Sequence, residues 1–249
     1  MLREERFNRI LKSLNKEGKV TYDLITKALN VSEDTIRRDI EHLHKSGLLI
    51  KVRGGAISVS KNPLNFQDRV NYLSEGKEVI GMKALQLIKS GQTIFMDGGT
   101  SMCVLASLLP IDITLRIITN NQAAIPIISK YKNVELIVLG GYYNHETQTT
   151  TGWQACEETK QYIADLYFMG TCAIDKKFGI TAAFQQDGEV KRSMLNASIK
   201  SIVLCNSEKL NCTEFFQVCE LSSIDTLITE LPGNDKKLNA YRNAELGII

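Results

Sequence analysis

Hydrophobic positions along this chain follow two regimes that change near residue 60. In the first they recur at helical spacing. Phe7, Ile10, Leu11 and Leu14 predict a helix within Leu2 to Asn15, with Gly18 in the turn that follows. Leu24, Ile25, Ala28 and Leu29 share one side of a second helix over Thr21 to Leu29. Ile36, Ile40 and Leu43 recur at i, i+4 and i+7 as the narrow apolar stripe of a third. Ser32 suits its N-cap, and Glu33 and Asp34 follow where the helix dipole favours negative charge. Only Asn30 and Val31 separate the second helix from Ser32, so the two must cross sharply. Gly47 suits a left-handed cap, Leu48 to Arg53 alternates as a strand does, and Gly54-Gly55 allows a tight reversal.

The face of the third helix opposite its stripe is polar. Thr35, Arg37 and Arg38 stand near its start, the end that a recognition helix directs at base edges. Lys51 and Arg53 make the following hairpin basic. A helix with an ordinary solvated charged face is the plain alternative, but the short link to the preceding helix favours a helix-turn-helix unit with a wing.

Ser58 to Asn65 is polar, holds Pro63 and shows no periodicity, which reads as a connector. The expected organisation is a winged helix-turn-helix domain over 1–57, a linker over 58–73 and a second domain over 74–249. In that second domain short apolar runs alternate with helical ones. Thr93 to Met96, Leu115 to Ile118, Val134 to Leu139, Leu166 to Met169, Ser201 to Leu204 and Thr226 to Thr229 are the expected strands of an α/β fold. Such alternation predicts a mostly parallel sheet covered on both faces.

Ligands of parallel sheets bind beyond the carboxyl ends of the strands. The unusual residues of this chain lie there. Asp97-Gly98-Gly99-Thr100-Ser101 has the properties of an anion cradle: glycines admit close backbone approach, hydroxyls donate, and a helix start points free N–H groups outward. Thr119-Asn120 and Gly140-Gly141 fall at the next two strand ends. Glu189, Lys191 and Arg192 open a later helix after Asp187, and Lys209 follows another strand end. Either lysine suits a phosphate. Trp153, the single tryptophan, suits either stacking on a sugar ring or plain packing.

The net charge of +2 conceals an asymmetry. Residues 1–60 hold 12 Lys and Arg against 8 Asp and Glu, while the remainder hold 18 against 20. The basic excess thus lies with the helix-turn-helix pattern and is modest, so DNA affinity must rest on local clustering and on assembly of copies. No apolar run approaches the ~18 residues of a membrane span, and Met1 to Arg6 is charged from its third residue, so neither an anchor nor a secretory signal is expected. A cytoplasmic protein is the expectation, with its six scattered cysteines free. Neither a metal nor a cofactor is expected, because the cysteines form no C-x-x-C pair and the three histidines are dispersed.

The run Val31-Ser32-Glu33-Asp34-Thr35-Ile36-Arg37-Arg38-Asp39-Ile40, with Gly47-Leu48 and Val52-Arg53-Gly54-Gly55-Ala56 after it, resembles the DeoR family of bacterial transcriptional regulators. That family carries a Ser-x-x-Thr-Ile-Arg-Arg-Asp helix and a Gly-Gly-Ala wing. The strand-end motifs through Ser207-Glu208-Lys209 are similar, in order and spacing, to its sensor domain, which resembles a sugar-phosphate isomerase stripped of activity. The resemblance implies DNA contacts from Ser32, Thr35, Arg37, Arg38, Lys51 and Arg53. It implies an effector site drawn from Asp97, Gly98, Gly99, Thr100, Ser101, Thr119, Asn120, Gly141, Glu189, Lys191 and Lys209.

The expected protein is therefore a repressor of sugar catabolism genes. A phosphorylated sugar would control it, and it would bind double-stranded operator DNA as a homodimer or homotetramer. Two departures stand out: Asn206 occupies a position where the family commonly has aspartate, and Ala173 one where it has glycine. Both predict an altered pattern of hydroxyl recognition. One rival is an enzyme with an appended DNA-binding module, using Asp97, Asp187 or Glu189 as base and Lys209 to stabilise an enediolate. Another treats the first domain as a protein-docking module.

Overall fold

The computed structural model of the chain describes residues 3–17, 19–45, 48–52, 54–57, 65–70, 72–242 and 246–249. The chain divides into two compact units, Met1–Pro63 and Leu64–Ile249. Gly18, Gly47, Arg53 and Pro63, singled out by the sequence, lie outside the described residues.

In the first unit α1 (Arg3–Glu17) leads through β1 (Lys19–Thr21) to α2 (Tyr22–Leu29) and α3 (Glu33–Lys45), and then to β2 (Ile50–Val52) and β3 (Gly55–Ile57). Thr21 caps α2 through its hydroxyl, and Asn30 ends it in the left-handed region at φ 51°, which turns the chain at once toward α3. The stripe predicted for α3 is sealed: Ile36, Ile40 and Leu43 join Ile10, Leu14, Val20, Ile25 and Leu49 in one core. The hairpin is larger than its sequence suggests, because β1 adds to it in the order β1-β3-β2, all antiparallel. Gly55 makes that addition possible. A Cβ there would stand 2.0 Å from the Val20 carbonyl oxygen.

The second unit opens with α4 (Phe66–Val70) and α5 (Ser74–Leu85). Part of the stretch expected to be linker is thus a helix of this unit. Phe66 is buried, and its N–H donates to Glu146 O at 2.6 Å. There follow β4 (Thr93–Met96), α6 (Thr100–Ser107), β5 (Leu115–Thr119), α7 (Ile125–Ile128), β6 (Val134–Val138), β7 (Tyr142–Asn144), β8 (Thr149–Thr151) and α8 (Trp153–Thr159). The chain continues through β9 (Ala164–Gly170), β10 (Ala173–Asp175), β11 (Gly179–Ala182), α9 (Gln185–Asn196), β12 (Ser198–Leu204), β13 (Phe216–Cys219), β14 (Thr226–Ile228) and β15 (Gly247–Ile248).

The main sheet is parallel throughout, in the order β15-β14-β12-β9-β4-β5-β6. Alternation along its strands feeds two cores. Ile94 and Met96 face α5, α6 and α7, whereas Phe95, Tyr167 and Met169 face α9 and a small antiparallel sheet, β10-β11-β13. The chain runs from β4 outward to β6, then crosses back to β9 and runs outward the other way. The strand order therefore reverses between β4 and β9, and the crevice beyond their carboxyl ends is the topological switch point. Among the described residues no helix is long and apolar enough to cross a membrane. All six cysteines are unbridged, with Cys205 buried and the others partly so.

Candidate nucleic-acid interface and ligand pocket

On α3 the cap is as expected: Ser32 Oγ accepts the Thr35 N–H at 3.3 Å and shares a 2.8 Å hydrogen bond with the Thr35 hydroxyl. Arg37 and Arg38 project into solvent, each tied to the carboxylate one turn earlier, Arg37 to Glu33 at 2.6 Å and Arg38 to Asp34 at 2.8 Å. Lys51 on the wing strand reaches Glu41 of α3 at 2.5 Å. The hydrogen bonds that Arg37 and Lys51 donate to Glu33 and Glu41 raise the pKa values of both cations. Both stay charged at neutral pH. Exposed pairs of this kind hold their partners weakly, so a DNA phosphate can take the place of each carboxylate.

Two supports of this face carried no local sequence signal. The Arg37 guanidinium lies 4.9 Å from the centroid of the Tyr22 ring at the start of α2, a cation–π contact that aims it. Asp39, on the inner side of α3, is buried and accepts from Arg6 of α1 at 2.6 and 3.2 Å. That pair locks α1 to the recognition helix.

At the switch point the residues expected to bind a ligand divide into two groups. Asp97 is buried and fully engaged: its Oδ2 accepts from Lys191 Nζ at 2.6 Å and from the Tyr167 hydroxyl at 2.8 Å, and its Oδ1 accepts from Gly170 N at 2.8 Å. Asp97 thus bridges the ends of β4 and β9. Lys191 also donates to Gly170 O at 2.9 Å and lies 3.6 Å from Asp187. Burial works against the charge of Lys191, but Asp187 and Asp97 outweigh it and raise its pKa. Burial raises that of Asp97, against the pull of Lys191. The proton stays on the amine, whose charge is already matched.

Several other members of the expected set are scaffold. Gly98 packs directly on Thr149 of the β7–β8 hairpin, where a Cβ would meet Thr149 Cγ2 at 2.3 Å. Gly141 has φ +124° and no room for a Cβ beside Thr151 O. Thr119 Oγ1 donates to Met96 O and accepts from Asn121 N. Glu189 is not brought to the site. On α9 it is turned away from Asp187 and Lys191, bonds Gln185 at 2.8 Å, and lines an outer groove with Trp153 and Arg192. Trp153 is 77% exposed there, away from Asp97.

The remaining residues form a cationic corner. Gly99, with φ +126° and no atom within 4 Å of where a Cβ would stand, turns the chain so that Thr100 and Ser101 begin α6. Its first-turn N–H groups carry the positive end of the helix dipole. Lys209 donates to Thr171 O at 2.6 Å. Lys77 of α5, unmarked by any motif, is buried and donates to Arg69 O. Among the described residues no carboxylate pairs with either lysine. Burial depresses both pKa values, and for Lys77 the neighbouring Lys209 and Arg69 add to it and bring it to about 8. Lys77 did leave a trace in the sequence: it continues the inward stripe of Ile80, Gly81 and Ala84. Beside this corner Asn120 and Asn121 are buried, their Nδ2 groups bonded to Thr150 O, Asp97 O and Gly99 O, while both Oδ1 atoms lack partners. Asn206, at the end of β12, is buried with its Nδ2 unpaired. Ala173 begins β10, fully buried, and its carbonyl accepts from Thr171 Oγ1 at 2.9 Å.

Comparison with known proteins bears on both units. The model of the DeoR-like helix-turn-helix domain matches residues 6–62, and that of the DeoR C-terminal sensor domain matches 73–231. The chain belongs to the DeoR family. It is 34% identical over 92% of its length, and 89% of the relative's, to the HTH-type transcriptional repressor GlcR of Bacillus subtilis. It is 31% identical to the L-fucose operon activator of Haemophilus influenzae, over 92% of this chain and 93% of that one. Among solved structures, ribose 5-phosphate isomerase A of Methanocaldococcus jannaschii aligns with 55% of this chain and 54% of its own, with a TM-score of 0.41 and 15% identity. As a DeoR-family member the chain is a DNA-binding transcriptional regulator and not an enzyme.

Proposed function

We propose that this regulator represses genes of sugar catabolism and that a phosphorylated sugar, bound at the switch point, sets its affinity for operator DNA. One observation carries the ligand class: buried Lys77 and half-buried Lys209 lie close enough for their charges to act on each other, and among the described residues no carboxylate pairs with either. A phosphate dianion supplies the missing charge and accepts from the first-turn N–H groups of α6. The unpaired Oδ1 atoms of Asn120 and Asn121 suit sugar hydroxyls as donors. The first unit reads DNA through Thr35, Arg37 and Arg38 on α3, with Ser32 and Lys51 adding phosphate contacts. Two or four copies acting together read repeated half-sites, and work on chromosomal DNA belongs to the cytoplasm.

A thermal-shift screen of sugar phosphates against their unphosphorylated parents tests the ligand class, because a ligand bound only by the folded form raises Tm. Stabilisation by a phosphorylated sugar and not by its parent is expected. That same compound must change operator affinity, since an effector shifts only the equilibrium whose two states it binds unequally. A screen in which no phosphate ester raises Tm removes the proposal.

A further inference from the structure

The helix α4 follows β3 in sequence after eight residues, 58–65, and belongs to the sensor unit. Phe66 is buried, and Arg69 lies over its ring, 6.0 Å from the centroid. The carbonyl of Arg69 accepts from Lys77 Nζ. The guanidinium of Arg69 stands close enough to Lys77 and Lys209 for the three like charges to oppose one another. Its Nε is buried and donates no hydrogen bond. A sequestered guanidinium N–H that has no acceptor among the described residues, beside two lysines that no described carboxylate pairs with, is a group in want of an anion.

We propose that Arg69 is a direct ligand of the anion in this pocket, so that the first helix of the sensor unit is itself part of the effector site. The inference rests on the anion-pocket reading above and adds the coupling to it. Without the anion, Lys77 and Lys209 repel the α4 side chain. With a dianion present, the same three charges attract one common group, and Arg69 Nε gains the acceptor it lacks. Occupancy then holds α4 more firmly within the sensor unit. The two sites share an equilibrium through that helix.

The test uses the full chain and two probes, inorganic phosphate and glucose 6-phosphate, in calorimetric titrations of the wild type, Arg69→Gln, Arg69→Lys and the exposed control Asp68→Asn. Hydrogen exchange over residues 65–73 is followed with and without each probe. The wild type and Asp68→Asn should bind phosphate and slow exchange over 65–73. Arg69→Gln should bind at least tenfold more weakly and lose that protection, with Arg69→Lys between. Stronger binding of glucose 6-phosphate than of phosphate, with the same dependence on Arg69, marks the ester as the occupant. Equal binding by Arg69→Gln, or exchange over 65–73 that ignores the probe in the wild type, overturns the assignment of Arg69 and leaves the pocket standing. A wild type that binds neither probe overturns both.

Discussion

Asp97 and Lys191 close an ion pair of 2.6 Å inside the sensor domain, with side chains only 1% and 4% exposed. Tyr167 and Gly170 satisfy the rest of the carboxylate, so the pair joins β4, β9 and α9 at the topological switch point. Removing one partner leaves the other buried and unmatched. Lys191→Met strands both Asp97 and Asp187, and should cost about 3 to 5 kcal/mol in urea denaturation. Asp97→Asn in the same chain should recover part of the loss. The pKa of Lys191 is raised above its unfolded value of about 10.4. Its contribution is therefore full below that pH and drains away as pH rises through the raised value. Equal stability of wild type and Lys191→Met at pH 7 would refute the pair.

Lys77 sets a second, opposite pH dependence. Its pKa is lowered to about 8, so between pH 8 and about 10.4 the unfolded chain holds a proton that the folded one lacks. This group makes stability rise with pH across that window. A bound anion draws the proton back. Phosphate binding at pH 8 should take up protons, and affinity should fall above pH 8 by up to about tenfold per pH unit. Titrations in two buffers of different ionisation enthalpy measure the uptake. Lys77→Met should abolish it while weakening binding.

On the DNA face, Arg38 is expected to exchange its carboxylate partner for a base edge or phosphate. Its pair with Asp34 is exposed on both sides, so little opposes the exchange. Arg38→Ala should weaken operator binding by about 1 to 3 kcal/mol if the contact is a bidentate one to a base. Asp34→Asn should strengthen binding to non-specific duplex, where removal of a repelling charge acts regardless of sequence. Fluorescence anisotropy across a salt series separates the two, and an Arg38→Ala titration identical to wild type withdraws the assignment.

The parts of this molecule legible in its sequence are those where one local pattern decides the structure. The central strands are buried on both faces and read as short unbroken apolar runs, and the stripe of Ile36, Ile40 and Leu43 could only be a helix face. The three-residue strands Lys19–Thr21, Tyr142–Asn144, Thr149–Thr151 and Ala173–Asp175 left no such mark, because pairing with distant segments makes them strands. The pocket divides in the same way. Asp97 and Lys209 stood out by following strand ends, whereas Arg69 and Lys77 come to the site from helices that precede the sheet, through tertiary approach alone. Glu189 was misplaced for a geometric reason. Two residues from Asp187 and from Lys191, it is turned by 200° on a helix and faces the opposite side.

Gly98 offers the sharpest test of how closely the hairpin approaches the strand end. A Cβ at this position would meet Thr149 Cγ2 at 2.3 Å, a distance that no real contact tolerates. Thr149 is fully buried, and its hydroxyl bonds Thr147 at 2.8 Å, so it cannot simply swing away. Gly98→Ala should therefore cost about 1 to 3 kcal/mol through overpacking and loosen phosphate binding at the neighbouring helix start. Thr149→Ser keeps the hydroxyl and deletes the methyl that clashes. The double variant should regain most of the lost stability, which ordinary additivity of two separate defects does not allow. Denaturation midpoints of the four proteins decide the matter: a Gly98→Ala chain as stable as wild type, or a double variant no better than the single, places the hairpin farther from the pocket.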